Sequence, residues 1–297
     1  MFQPILLTFS SKTYEELPST STSTAANDDD DAASTPMPLN PLKGIRILLY
    51  ITTHMSETHK WYLKTCWKDA LRNSWVLNSS DVFVYLNQDE AMVNETVYEE
   101  SMILLQKTFN NNKGDNDNKS TLTIHSVKNA GYQQGAIGAL SDASKNKWFN
   151  GYDWVIRVNA DVIVRNDTIL KDVIMRNALG ETNISGILID CYGRGGSDPV
   201  VHTDFFAIKP SELPENGLVV DNTTISNKYV NAERLFTQQI RGTILQPGRH
   251  VWLKDSFPKQ QMCRAAANSP DLSQASVIHH HYSSEQMQDS ELCPVPF

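Results

Sequence analysis

The residues best suited to chemistry in this sequence gather in one run, Tyr152-Asp153-Trp154-Val155-Ile156-Arg157-Val158-Asn159-Ala160-Asp161-Val162-Ile163-Val164. An apolar strand that ends on Asn-Ala-Asp sets polar groups at the carboxyl edge of a sheet. A carboxylate there, Asp161, suits a hard cation such as Mn²⁺ or Mg²⁺, which takes oxygen ligands and can bridge two phosphates. Asn and Asp also favour turns, so the same three residues read equally as an Asx-type turn. Near the end of the chain stands His279-His280-His281. On a strand His279 and His281 would share one face and His280 the other. A surface cluster of histidines is the plain alternative. Arg157, Arg194 and Arg249 are candidate phosphate clamps or ordinary solvated charges.

Alternating strands and helices must position these groups. Gly44–Ile51 is a continuous apolar run, as in a strand buried on both faces. Ser56 offers an N-cap to a helix carrying Trp61, Leu63, Trp67, Ala70 and Leu71. Strands are expected at Asp81–Leu86, Leu122–Val127, Trp154–Val158, Val162–Val164, Ile184–Asp190 and Thr203–Ile208. Helices are expected through Tyr98, Met102 and Leu105, over Gly131–Phe149 and over Thr168–Leu179. Gly135, Ala136, Gly138 and Ala139 admit either a ligand or tight helix–sheet packing. A polar insertion at Asn110–Asn118 and a glycine loop at Gly193–Gly196 interrupt the pattern. Strands that alternate with helices imply a mostly parallel sheet with ligands at the strands' carboxyl ends.

The chain has 297 residues, 40% hydrophobic, with a net charge of −8 and a pI near 5.5. An acidic chain of this kind is a poor nucleic-acid partner. Residues 1–42 read as a disordered leader or stem, because Ser, Thr, Asp and Pro dominate 18–42 and cannot bury enough surface to offset ordering. Residues 43–297 form one domain. The apolar Phe2–Phe9 is too short to span a bilayer; it is either a plain tail or the remnant of a membrane tether. Six Asn-x-Ser/Thr sequons, at Asn78, Asn94, Asn118, Asn166, Asn183 and Asn222, lean towards the Golgi or endoplasmic-reticulum lumen. Four cysteines fit that lumen, with Cys263–Cys293 the preferred bridge of the three pairings open to them.

The run "YDWVIRVNADVIVRND" resembles the DxD-bearing strand of GT-A nucleotide-sugar glycosyltransferases. "GIRILLYITT", "NAGYQQGAIGALSDAS", "HTDFFAIKPSEL" and "NAERLFTQQI" echo neighbouring elements of that family, over roughly residues 44–282. The resemblance implies a GT-A-like (Rossmann-like), mostly parallel α/β sheet with helices on both faces in a single domain. It implies transfer of a sugar from a nucleotide-diphosphate donor to an acceptor hydroxyl on a glycan or glycoprotein, assisted by a divalent cation. Thr52, Arg157, Asn159 and Asp161 would contact the donor, and Asp161 with His281, then His279, would hold the metal. An inverting enzyme also needs a base; Glu233 is the candidate and Asp204 the alternative, although a first-turn Glu also simply favours the helix dipole. The first acid of the DxD pattern is Asn159 here, which weakens the metal expectation. A non-catalytic GT-A-like pseudo-enzyme or carbohydrate-binding module is the alternative. A sugar nucleotidyltransferase fits less well, because Thr52-Thr53-His54-Met55-Ser56 replaces its glycine-rich loop.

Overall fold

The structure, a computed structural model, describes residues 44–88, 92, 94–110, 121–191, 199–214, 216–221, 230–253 and 277–279, with the side chains of 132, 278 and 279 set aside. The expected leader, most of the polar insertion and the glycine loop lie outside the described residues. So do Arg194, His281 and the expected Cys263–Cys293 bridge. Cys66 and Cys191 are both disulfide-bonded.

Chain order runs β1 (Ile47–Thr53), α1 (Glu57–Thr65), α2 (Trp67–Asn73), α3 (Trp75–Asn78), β2 (Asp81–Gln88), α4 (Glu95–Asn110), β3 (Leu122–Lys128) and α5 (Tyr132–Lys145). It continues through β4 (Trp154–Asn159), β5 (Val162–Val164), α6 (Thr168–Ala178), β6 (Gly186–Asp190), β7 (Val201–Ile208), α7 (Ala232–Ile240), β8 (His250–Trp252) and β9 (Val277–His279). Seven strands form one sheet in the order β3-β2-β1-β4-β7-β6-β8, and β5 pairs with β9 separately. Within the seven-stranded sheet only β7 runs against its neighbours, β4 and β6, and the separate β5–β9 pair is antiparallel. The protein therefore has the mostly parallel α/β sheet that its alternating strands and helices imply.

Strand alternation sorts the core into two layers. Leu49 and Ile51 of β1 and Ile156 and Val158 of β4 pack with Leu63, Trp67, Leu105 and Ile174 from the α1, α2, α4 and α6 side. Leu48 and Tyr50 of β1, Val155 of β4 and Phe206 of β7 face α5 and α7, meeting Ala139, Leu140, Phe236 and Ile240. Each fully buried large apolar side chain contributes about 1.5–3 kcal/mol, so helices cover both faces. The rings of Phe206 and Phe236 stack at 4.4 Å, seating α7 on β7. The Tyr50 hydroxyl donates to the Ala139 carbonyl at 2.8 Å, tying β1 to α5.

One local difference from the sequence pattern bears on the site. The helix expected from Ser56 through Leu71 starts as predicted, with Ser56 Oγ accepting from His59 N at 3.2 Å, but it breaks at Cys66. The break reorients Trp67, whose Nε1–H donates to the Ala160 carbonyl at 2.7 Å. Ala160 N in turn donates to the Thr52 carbonyl at 3.1 Å. The chain between Asn159 and Asp161 is thus pinned from both sides. Trp67→Phe keeps a ring but strands a buried carbonyl, which costs about 1–3 kcal/mol. Thermal unfolding of that variant should show a fall of several degrees; an unchanged transition would mean that the bond does not hold the turn.

Candidate active site

Strand order reverses between β1 and β4, since β2 and β3 lie to one side of β1 and β4 to the other. Ligands of open α/β sheets bind outside the carboxyl ends at such a switch point. A cleft of about 180 Å³ opens there. Its floor comes from Thr52 and Thr53 ending β1, Arg157 and Asn159 ending β4, and Thr203 and Asp204 near the start of antiparallel β7. Its walls are Asn87, Asn129, the first turn of α5, and Glu233 at the start of α7.

Register explains the floor. Thr52 pairs with Asn159 across β1 and β4, and Val158 with Phe205 across β4 and β7. One step further sets Asn159 beside Asp204, so Thr52, Asn159 and Asp204 share the α5/α7 face with Arg157 two residues back. The Arg157 side chain is 1% exposed. Its Nη2 donates to Thr52 Oγ1 and to Asn159 Oδ1, each at 3.0 Å, and its Nη1 lies 3.4 Å from Asp204 Oδ1. Asn159 Oδ1 also accepts from the Thr52 hydroxyl, while Asn159 Nδ2 donates to Asp204 Oδ1 at 2.7 Å. Burial lowers the Arg157 pKa, and Asp204 foremost opposes that shift. Arg157 Nε is buried without a hydrogen-bond partner.

Glu233 stands in the first turn of α7. Asn231 caps that helix by accepting from Arg234 N at 2.9 Å, and Gln133 Oε1 of α5 accepts from Ala232 N at 2.5 Å. The two helix starts are therefore locked together over the cleft. Thr203 Oγ1 donates to Glu233 Oε1 at 3.1 Å, and Oε2 is buried with no partner. Desolvation by burial raises the Glu233 pKa above its ordinary 4.5; Asp204 adds to the rise, while the helix backbone, Thr203 and Arg157 work against it. Gly135 explains how α5 comes so near. A Cβ there would sit 3.3 Å from Asn129 Oδ1 and 3.4 Å from Asn87 Nδ2, whereas one at Gly138 would meet nothing within 4 Å.

Of the residues that sequence reasoning named, Thr52, Arg157, Asn159, Asp204 and Glu233 converge on this one cleft. Asp161 does not line it. Strand alternation would put Asp161 beside Asn159, but β4 ends at Asn159 and the chain turns at Ala160–Asp161. Asp161 is 5% exposed, so an open sheet edge with little packing is not its setting. It faces His59, with Asp161 Oδ1 3.6 Å from Nε2, and His59 Nδ1 lies 2.9 Å from Thr53 Oγ1. Backbone pairing of β5 with β9 sets His279 opposite Val162, so the fold does bring Asp161 and His279 to neighbouring backbone positions. Among the described residues no group of three or more His, Cys, Asp or Glu could hold a metal. Arg249 is paired with Glu212 at 2.5 Å and stands outside the cleft lining. Sequence reasoning missed His59, Asn87, Asn129 and Gln133. The Ser56-x-x-His59 cap and the Gly131/Gly135 pair at the start of α5 were the available signals.

No protein-family model matches the sequence, and no curated protein does. Solved structures show distant likenesses. A mannosyltransferase from Pyrobaculum calidifontis, in complex with GDP-Man and Mn²⁺, is 12% identical over 70% of this chain, with a TM-score of 0.40. The chain spans 54% of that protein's length. A glycosyltransferase involved in glycosylation of the PBCV-1 major capsid is 13% identical, covering 83% of this chain and 99% of its own, with a TM-score of 0.40. A cytidylyltransferase from Leptospira borgpetersenii is 12% identical, covering 69% of this chain and 75% of its own, with a TM-score of 0.37. Likenesses at this distance carry no argument about activity, and the fold stands on its own strand order.

The Glu233 carboxyl yields a stability test. A folded-state pKa above the unfolded one means that its favourable contribution is present below pH 4.5 and lost as pH rises through the raised value. Glu233→Gln removes that loss. The melting temperature of the variant relative to the parent should therefore climb from acid to neutral pH. A difference that stays constant would contradict a burial-shifted carboxyl.

Proposed function

We propose that the protein is a glycosyltransferase that moves a sugar from a nucleoside-diphosphate donor to an acceptor hydroxyl in the cleft between β1 and β4. One observation carries the reading. The cleft holds one buried unpaired donor, Arg157 Nε, and one buried unpaired carboxyl oxygen, Glu233 Oε2. Each such atom costs about 1–3 kcal/mol, and a ligand pair offering an anionic oxygen and a hydroxyl would satisfy both. A departing diphosphate supplies the first and a sugar acceptor the second.

In this mechanism ionised Glu233 Oε2 accepts the acceptor's proton as the acceptor oxygen bonds to the sugar's anomeric carbon. The bond from that carbon to the diphosphate breaks, and the guanidinium of Arg157 favours the charge that develops on the leaving oxygens. Thr203 holds the other carboxylate oxygen. Asp204, first weighed as an alternative base, instead anchors Arg157 and Asn159. Asn159 is a poor metal ligand, because both ends of its amide are engaged. A divalent cation with Asp161, His279 and His281 as its ligands would supply Lewis-acid neutralisation, but Asp161 faces His59 and does not line this cleft, so no step is assigned to that ion.

The lumenal setting is part of the same proposal, with residues 1–42 as leader and a glycan or glycoprotein as acceptor. Supporting it, Asn78, Asn94 and Asn183 are exposed, whereas Asn166 is half-buried with its Oδ1 accepting from Thr168 N at 2.9 Å. Secretory expression should give an endoglycosidase-sensitive gel shift that becomes smaller when those three exposed asparagines are replaced; a protein with no shift would remove the lumenal reading.

The catalytic proposal is tested with a donor-hydrolysis and transfer panel over common nucleotide sugars. One donor should be consumed, at a rate that rises with pH through the raised Glu233 ionisation. Glu233→Gln should lower turnover by about 10²–10⁴-fold, the usual worth of a positioned base. Silence with every donor, or full turnover in a folded Glu233→Gln protein, would refute it.

A further inference from the structure

We infer that Arg157 is a built-in cation for the donor's diphosphate, held in place by an Asn159–Asp204 clip. The inference rests on the glycosyl-transfer reading and goes beyond it in saying what the unusual Asn159 is for. Position 159 must satisfy two opposite neighbours at once. Towards Arg157 and Thr52 it has to accept, and towards the Asp204 carboxylate it has to donate. A carboxamide does both. A carboxylate at the same place would put two acidic oxygens where Nδ2 and Oδ1 now stand 2.7 Å apart, with Glu233 also lining the same cleft.

The amide also sets the guanidinium's valence. Arg157 offers five N–H groups. Three are used on Asp204, Thr52 and Asn159, and only one of those partners is a carboxyl group. That single carboxylate contact is long, at 3.4 Å. A second carboxylate at 159 would turn the Arg157–Asp204 pair into a net negative cluster that repels a diphosphate, whereas the amide orients the guanidinium and adds no charge. Two N–H groups are left, one on Nη1 and the one on Nε, and Nε, buried and without any partner on a side chain that lines the cleft, is assigned to a phosphate oxygen. Where the resembled DxD pattern carries an acid, this chain carries a group that serves an arginine.

The test is calorimetric titration of inorganic pyrophosphate, UDP and GDP into the full chain, first in chelator and then with Mn²⁺ added. At least one should bind in chelator. Asn159→Asp, which restores the acid of the pattern, should weaken that binding by about tenfold or more, the scale of a charge-assisted hydrogen bond. The swap Asn159→Asp with Asp204→Asn rebuilds a carboxylate–carboxamide pair under the guanidinium and should recover most of the loss. Because the swap is compared directly with the parent, the test stands even where Asn159→Asp alone fails to fold. Binding that appears only with Mn²⁺, tighter binding by Asn159→Asp, or a swap that binds no better than a deletion of Arg157 (Arg157→Gln) would overturn the inference while leaving glycosyl transfer standing. No binding under either condition would remove both.

Discussion

A guanidinium buried to 1% exposure at the end of a central strand is the constraint around which this site is organised. An isolated buried charge is costly, and it is tolerated only where partners and hydrogen bonds are fixed around it. Arg157 obtains them from three strands: Thr52 on β1, Asn159 on β4 and Asp204 on β7. Those partners come into reach only because β1 pairs parallel to β4 while β7 pairs antiparallel to it. The single reversed strand brings the amino end of β7 to the carboxyl ends of its neighbours. Had β7 run parallel, its far end would lie here and Asp204, in mid-strand, would be about half a strand's length away.

The rest of the molecule holds that arrangement still. Trp67 grips the carbonyl that follows Asn159, so the strand cannot slide past its register. Tyr50 fastens β1 to α5, and the Phe206–Phe236 stack fastens α7 to β7. Gln133 then joins the two helix starts, which fixes Glu233 relative to the guanidinium. The apolar layers on both faces thus act on the chemistry through geometry: they decide which polar side chains arrive together and how little water reaches them. That dryness raises the Glu233 pKa and magnifies the pull of Arg157.

Most of this was legible in the sequence wherever an apolar run ended on polar residues. Thr52 closes "GIRILLYITT", Asn159 closes "WVIRVN", and Asp204 lies in "HTDFFAI", so strand ends taken together with the family resemblance led to the floor of the cleft. Glu233 was legible from its helix start. Asp161 shows where such reasoning stops. Alternation holds only within a strand, and the turn at Ala160 sends the carboxylate to His59 instead of keeping it beside Asn159. His59, Asn87, Asn129 and Gln133 were not legible, because a polar residue near the end of an element looks the same whether it faces solvent or a cleft. Their position depends on the break at Cys66 and on the close approach at Gly135, both set by tertiary packing.

The most direct measurement is a crystal structure of the protein soaked with a nucleoside diphosphate. The account predicts phosphate oxygens within hydrogen-bonding distance of Arg157, between the ends of β1 and β4, with Asn159 still bridging Arg157 and Asp204. A nucleotide bound elsewhere, or an Asn159 swung away from Arg157 to ligate an ion, would contradict it.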